Sequence, residues 1–179
     1  FAMREVSIRK DECGYQRICL NGDPIFQYGT LDQGWWPDGL LTPPSEEAML
    51  WDMVQLKNMG FNTIRKHIKV EPEQYYYYAD SLGLMMWQDM VSGFSTERKD
   101  EHIKPNAQTD WNAPASHTNQ WQQEMFEMID RLRFYSCITT WVIFNEGWGQ
   151  HNTVEIVEKV MEYDKSRIID GVTGWTDRG

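Results

Sequence analysis

The stretch Trp141-Val142-Ile143-Phe144-Asn145-Glu146-Gly147-Trp148-Gly149 holds the residues best suited to chemistry. An unbroken apolar run leads straight into an amide and a carboxylic acid, then into a Gly/Trp turn. A buried strand of this kind delivers Glu146 to its carboxyl end, beside the Trp148 ring. Partly apolar surroundings disfavour a carboxylate and raise its pKa, as a general acid working near neutral pH requires. The plainer alternative is a strand-end glutamate paired with an arginine. Asp32, Gln33, Trp35 and Trp36 follow an earlier apolar segment. Tryptophan rings there can wall a subsite by stacking on a sugar face, or simply pack the loop. Asp89 closes a third apolar run and can bond either a ligand hydroxyl or a loop amide. Trp175 and Asp177 hold a similar place after the last run.

Other chemistries find little support. His67, His102, His117 and His151 show no paired spacing, and Cys13, Cys19 and Cys137 form no CxxC or CxxH cluster. No metal and no cofactor is therefore expected. With 17 basic and 27 acidic side chains the net charge is −10, which repels phosphates and argues against nucleic acid or anionic membrane as partner. No apolar run reaches the roughly 18 residues of a membrane helix. Phe1-Ala2-Met3-Arg4 carries no leader pattern and reads as the inside of a strand, so a piece of a longer protein is expected.

The elements that must position these residues follow a rhythm. Residues 1–24 alternate weakly and reach Asn21-Gly22, a hairpin turn signal. From residue 25 onward, strands are expected at 25–30, 61–68, 84–89, 138–144 and 167–170. Between them come helices with apolar stripes. Ser45 caps the first, which carries Met49, Met53 and Leu56 and stops at Gly60. Pro72 opens the second at its first position, with Tyr75, Tyr78, Ala79 and Leu82 inward. The third carries Trp121, Met125, Met128, Ile129 and Leu132. Asn152 and Glu155 form a capping box for the fourth, whose stripe is Val154, Val157 and Met161. A long polar segment spans 91–117. The alternation implies right-handed βαβ units and a parallel sheet. A doubly wound sheet would show a glycine-rich turn after its first strand, and Tyr28-Gly29-Thr30-Leu31-Asp32 has none. Polar and aromatic residues gathered after each strand fit a (β/α)8 TIM barrel, of which about strands 1–5 are expected in residues 25–179.

Taken together, these segments resemble glycoside hydrolase family 2. Its fourth barrel strand ends in Asn-Glu with a tryptophan five positions before the glutamate, as Trp141 is before Glu146. Gly60-Phe61-Asn62-Thr63-Ile64-Arg65 is similar to the family's second strand. Phe1-Ala2-Met3-Arg4 and Leu20-Asn21-Gly22-Asp23-Pro24-Ile25 resemble the passage from an upstream β-sandwich into the barrel. The resemblance implies a retaining β-glycosidase in which Glu146 is the general acid/base and Asn145 bonds the sugar 2-hydroxyl. It places Arg65 at the floor of the site, with a structural ion pair as the competing reading. The family's histidine three positions after that arginine is replaced by Ile68, while His67 shares the strand face of Arg65. The family's Asn-His-Pro-Ser run is replaced by Phe134-Tyr135-Ser136-Cys137, marking a divergent branch.

The family's nucleophile ends the seventh strand, so this chain is expected to hold only the acid/base half of a site and to be inactive alone. The expected partners are an oligo- or polysaccharide, the rest of the barrel and the upstream β-sandwich. Unpaired sheet edges also predict self-association. A competing reading is a carbohydrate-binding or scaffold domain on a degenerate barrel. Another is an inverting hydrolase that pairs Glu146 with Asp89 or Asp32. Polysaccharide breakdown is compatible with a periplasmic or extracellular parent, but no residue here specifies a compartment.

Overall fold

The computed structural model describes residues 3–91 and 110–174. Strands β1 (Val6–Lys10), β2 (Gln16–Leu20) and β3 (Asp23–Pro24) form an antiparallel sheet in that order. Asp11 Oδ1 turns the first hairpin by accepting the amides of Cys13 and Tyr15, each at 2.9 Å. Asn21 (φ 54°) and Gly22 (φ 92°) turn the second, the left-handed pair that Asn-Gly favours. The expected hairpin is thus a three-stranded meander.

The second sheet has five parallel strands: β4 (Gly29–Asp32), β5 (Thr63–Lys66), β6 (Met85–Asp89), β7 (Ile138–Asn145) and β8 (Ile168–Thr173). Helices α1 (Glu46–Asn58), α2 (Glu73–Leu82), α3 (Ala115–Leu132) and α4 (Thr153–Tyr163) make the four crossovers. Strand order follows chain order without reversal, which is barrel winding rather than a doubly wound sheet. The molecule is an α/β fold containing part of a TIM barrel, with β4 and β8 as the sheet edges. All eight residues of β7 are buried, and Trp121 of α3 stacks on Phe144 at 4.9 Å. Burying one such ring contributes roughly 1.5–3 kcal/mol. That packing rigidifies the strand that carries Asn145.

Several local expectations hold. Ser45 Oγ caps α1 by accepting from the Ala48 amide at 3.1 Å, and Glu46 and Glu47 lie in its positive first turn. The α3 stripe is buried as spaced. Other expectations fail for identifiable reasons. Residues 25–28 are not strand, because Asn62 fastens them with its side chain: Oδ1 accepts from Tyr28 N at 2.8 Å and Nδ2 donates to Phe26 O at 2.9 Å. β5 is shorter than expected, since Ile68 turns left-handed at φ 43°. Pro72 caps α2 from outside the helix, and that helix buries Tyr76 along with Tyr75 and Ala79. α4 buries Thr153, Ile156 and Val160, leaving Val154 and Met161 half exposed. The capping box is absent. Asn152 is left-handed at φ 43° with no side-chain cap bond, and Asp110 Oδ2 instead accepts the Thr153 amide at 2.6 Å.

Candidate active site

Alternation along β5 sends its last residues to opposite faces. Ile64 and Lys66 point toward the helices, while Arg65 points the other way. Arg65 grips Asp89 at the end of β6 through two parallel bonds, Nε to Oδ1 at 3.0 Å and Nη2 to Oδ2 at 2.9 Å. Its Nη2 also donates to Asn145 Oδ1 at 2.8 Å and to Thr173 Oγ1 at 3.0 Å. Thr173 in turn donates to Asn145 Oδ1 at 3.1 Å. The ends of four adjacent strands are thereby tied into one polar floor. Burial pushes the Asp89 carboxyl above its ordinary value, and Arg65, the Ile68 amide and His67 pull against that rise.

This floor orients Asn145. Arg65 has only donors, so the amide oxygen must face it and the NH2 group must face away. That Nδ2 has no hydrogen-bond partner among the described residues. Glu146 follows at φ 51°, a left-handed conformation that costs a non-glycine residue free energy. Its amide donates to Thr173 O at 2.8 Å, and the Trp148 amide donates back to Asn145 O at 2.8 Å. The Glu146 carboxylate, half-buried, has neither an ion pair nor a hydrogen bond among the described residues. The ion-paired alternative is therefore absent among the described residues. Trp148 stands two residues on, 40% exposed.

Asp32 is not part of this floor. The parallel register sets Asp32 beside Lys66, on the helix-facing side. Its Oδ2 accepts from Lys66 Nζ at 2.7 Å and Tyr75 OH at 2.6 Å, and its Oδ1 from the Gly34 amide at 2.7 Å. Burial alone would raise its pKa, but Lys66, Tyr75 and the Gly34 amide together bring it below the ordinary value. With Asp89 held by Arg65 and Asp32 by Lys66, neither stands free as the second acid of an inverting pair. His67 reaches back to the loop after β4, its Nδ1 3.1 Å from Gln33 Nε2. Trp35 on that loop is 63% exposed, and Trp36 pairs through its backbone with Leu40.

Sequence reasoning missed Thr173, Lys66, Glu71, Lys69 and Asp110. Thr173 could have been found by extending the last strand three residues. Lys66 sits at 0% exposure, and a lysine two positions from both Ile64 and Ile68, sharing the strand face of Ile64, is a readable sign of a buried partner. His151 lies in the loop between β7 and α4, one of the two places expected of it, but is fully buried edge-on against Trp121 and Phe144; burial lowers its pKa despite the Gly149 carbonyl and Asp110. Trp175, Asp177 and His102 lie outside the described residues. Among the described residues, no group of three or more His, Cys, Asp or Glu is placed to hold a metal ion. No helix among them is long and apolar enough to cross a membrane.

The profile of Glycosyl hydrolases family 2, TIM barrel domain, matches residues 43–178. The exo-beta-D-glucosaminidase of Amycolatopsis orientalis is 26% identical over 152 residues, covering 80% of this chain and 13% of that protein. The beta-galactosidase of Clostridium acetobutylicum is 24% identical over 136 residues, covering 72% of this chain and 15% of that protein. The chain thus spans 12–15% of the length of the curated relatives it matches. Among solved structures, the Parabacteroides merdae beta-glucuronidase superposes with a TM-score of 0.74 at 18% identity. That match covers 94% of this chain and 20% of the other, and supports the fold alone.

Proposed function

The chain belongs to glycosyl hydrolases family 2 as a part of its TIM barrel domain, and from that premise we propose that its parent is a retaining β-glycosidase with Glu146 as acid/base. The observation that carries this reading is the pairing of a carboxylate and an amide NH2, each without a partner among the described residues, at the end of one buried strand. Glu146 would protonate the glycosidic oxygen as the bond breaks, then take a proton from the attacking water. Asn145 Nδ2 would donate to the sugar 2-hydroxyl, with the Arg65–Asp89 pair fixing its direction. Trp148, Trp35 and Trp36 would supply apolar walls, and His67 a polar contact near Asp89. The nucleophilic carboxylate would come from the rest of the barrel, about 5–5.5 Å from Glu146 as retention requires. Those further strands would cover edges β4 and β8; without them, a second copy of the chain would. The substrate class is an oligo- or polysaccharide.

The test uses the full-length protein. 4-Nitrophenyl β-galactoside, β-glucosaminide and β-glucuronide form the first screen, because the relatives carry these different names. Glu146→Gln should cut kcat/KM for alkyl glycosides by about 10²–10⁴-fold, while sparing kcat/KM for aryl glycosides whose leaving group needs little protonation. Its kcat should fall for both, because water attack on the intermediate loses its base. Equal loss of kcat/KM on both would sink the acid role. The first product should keep the β-configuration; inversion would refute retention.

A further inference from the structure

Lys66 and Arg65 are neighbours on β5, yet their cations serve opposite faces. Lys66 is fully buried, its Nζ 2.7 Å from Asp32 Oδ2, 2.6 Å from Glu71 Oε1 and 4.4 Å from the centre of the Tyr75 ring. Glu71 Oε1 also receives Lys69 Nζ at 2.8 Å. Lys69 then donates outward, to Gly34 O at 2.9 Å and Leu41 O at 2.7 Å. Its two carbonyl partners are the two ends of the 34–41 loop, which carries Trp35 and Trp36. Asp32 Oδ1 holds the same loop by the Gly34 amide at 2.7 Å.

Two further features show that this loop hangs on the charge cluster. Gly34 lies at φ +66°, and a Cβ there would come within 2.5 Å of Glu71 Oε1 and 2.6 Å of Lys69 Nζ. The loop backbone is therefore pressed directly onto the cluster. Beneath the loop lies a cavity of about 40 Å³, lined in part by Trp35, Trp36, Asp52, Lys66 and Glu71. Close apolar packing, which seats most protein segments, is incomplete there. The loop follows β4 at the carboxyl end of the sheet, the same end as Glu146, and holds the Trp35 ring 63% exposed. A large ring held in water by a buried ionic anchor is ready to stack on the apolar face of a ligand.

We propose that Lys69 is a positioning residue: through the Gly34 and Leu41 carbonyls, and backed by the buried Lys66–Glu71 pair, it sets the Trp35 ring to stack on a sugar ring of the substrate. This rests on the glycosidase reading of the mouth and adds to it the source of its aromatic wall. Lys69 itself touches no substrate.

The experiment compares Lys69→Met, Trp35→Ala and the double variant in the full-length protein. The probe is whichever of the three 4-nitrophenyl glycosides the wild type turns over. Each single variant should raise KM about tenfold, the loss of one stacking contact, with kcat within about twofold. The double variant should match Trp35→Ala alone, because Lys69 acts through that ring. Additive effects, a fall in kcat alone, or an unchanged KM would overturn the proposal. Hydrogen exchange gives a second reading that needs no turnover. Amides of the 34–41 loop should exchange faster in Lys69→Met, while those of β5 and β7 stay protected; an unchanged loop overturns the proposal. A wild type that turns over no glycoside would count against the glycosidase reading, with loop exchange still deciding the anchoring role.

Discussion

Arg167 and Arg65 each bind a buried aspartate, one at either end of the parallel sheet, but the two ends are finished differently. At the amino end Arg167 engages every donor. Its Nε donates to Ile138 O at 2.9 Å, Nη1 to Asp164 Oδ2 at 2.8 Å and Ser166 Oγ at 3.1 Å, and Nη2 to Arg133 O at 2.7 Å and Tyr135 O at 3.0 Å. The Trp141 indole also donates to Asp164 Oδ2, at 2.8 Å. Arg4 lies across the same end, donating to the carbonyls of Ser136, Ser166 and Ile138. At the carboxyl end Arg65 grips Asp89, yet Asn145 Nδ2 and the Glu146 carboxylate keep no partner among the described residues. Polar groups inside proteins are normally paired. The capacity left unused by Asn145 Nδ2 and the Glu146 carboxylate at the carboxyl end is what a ligand's hydroxyls would complete. The saturated end is architecture.

Removing each arginine's charge is the strongest way to break that contrast. Arg167→Met strands Asp164, whose side chain is 6% exposed, and orphans several carbonyls. It should destabilise the barrel by about 3–5 kcal/mol, seen in denaturant unfolding of the full-length protein, while KM and kcat per folded site stay unchanged. Arg65→Met strands Asp89, 1% exposed, but orphans no backbone carbonyl, so it should cost somewhat less stability. Its turnover should fall by about 10²-fold or more, since the floor no longer aims Asn145. A kinetic effect at Arg167, or normal turnover without Arg65, would erase the division between the two ends. Asn145→Ala refines it: kcat/KM should drop at least about tenfold with stability changed by no more than about 1 kcal/mol.

The two aspartates also carry opposite pH signatures. Burial by itself would raise Asp164, but the Ser166 hydroxyl, the Trp141 indole, the Ser166 amide and Arg167 outweigh it and bring the carboxyl down to about 2. Its folded pKa lies below the unfolded value near 3.8, so the folded state holds fewer protons between these limits. The stabilisation, about 2 kcal/mol, is present above pH 4 and lost as pH falls toward 2. Asp89 runs the other way. Its folded pKa is raised by burial, so its protonated form favours folding, and that contribution fades as pH rises through the shifted value. Asp164→Asn should flatten the rise in unfolding free energy between pH 2 and 4, and Asp89→Asn should remove a decline just above it. Shifts of the same sign at both ends would contradict the contrast.

What was legible in the sequence was local. Asn145 and Glu146 could be read because an apolar run long enough to be buried ends in them, and Arg65 because Gly60–Arg65 resembles the family's second strand. Asp32 could not be placed from local pattern alone. Its direction depends on the register Asp32↔Lys66, a pairing across 34 residues. Tyr76 and the true stripe of α4 failed for a related reason: apolar residues lie on more than one side of these helices, and the packing surface selects which are covered. Val154 and Met161 are as apolar as Ile156 and Val160, but only the latter meet the core.

The α4 cap shows the same limit at the smallest energetic scale, and within the mouth itself. Asn152 followed three residues later by Glu155 reads as a reciprocal local cap. In the structure Asn152 is left-handed, and Glu155 spends its carboxylate on Lys159 at 2.7 Å. The cap comes instead from Asp110, just ahead of α3, whose Oδ2 accepts the Thr153 amide and whose Oδ1 accepts from Gln150 Nε2 at 3.2 Å. One carboxylate thus closes the helix and fastens the loop that begins at Glu146. Asp110→Ala should cost about 1 kcal/mol, with a modest fall in kcat because the loop loses its anchor. Glu155→Ala should cost less than about 0.5 kcal/mol, as an exposed ion pair does. The reverse order, read from unfolding midpoints of the two variants, would restore the local capping box.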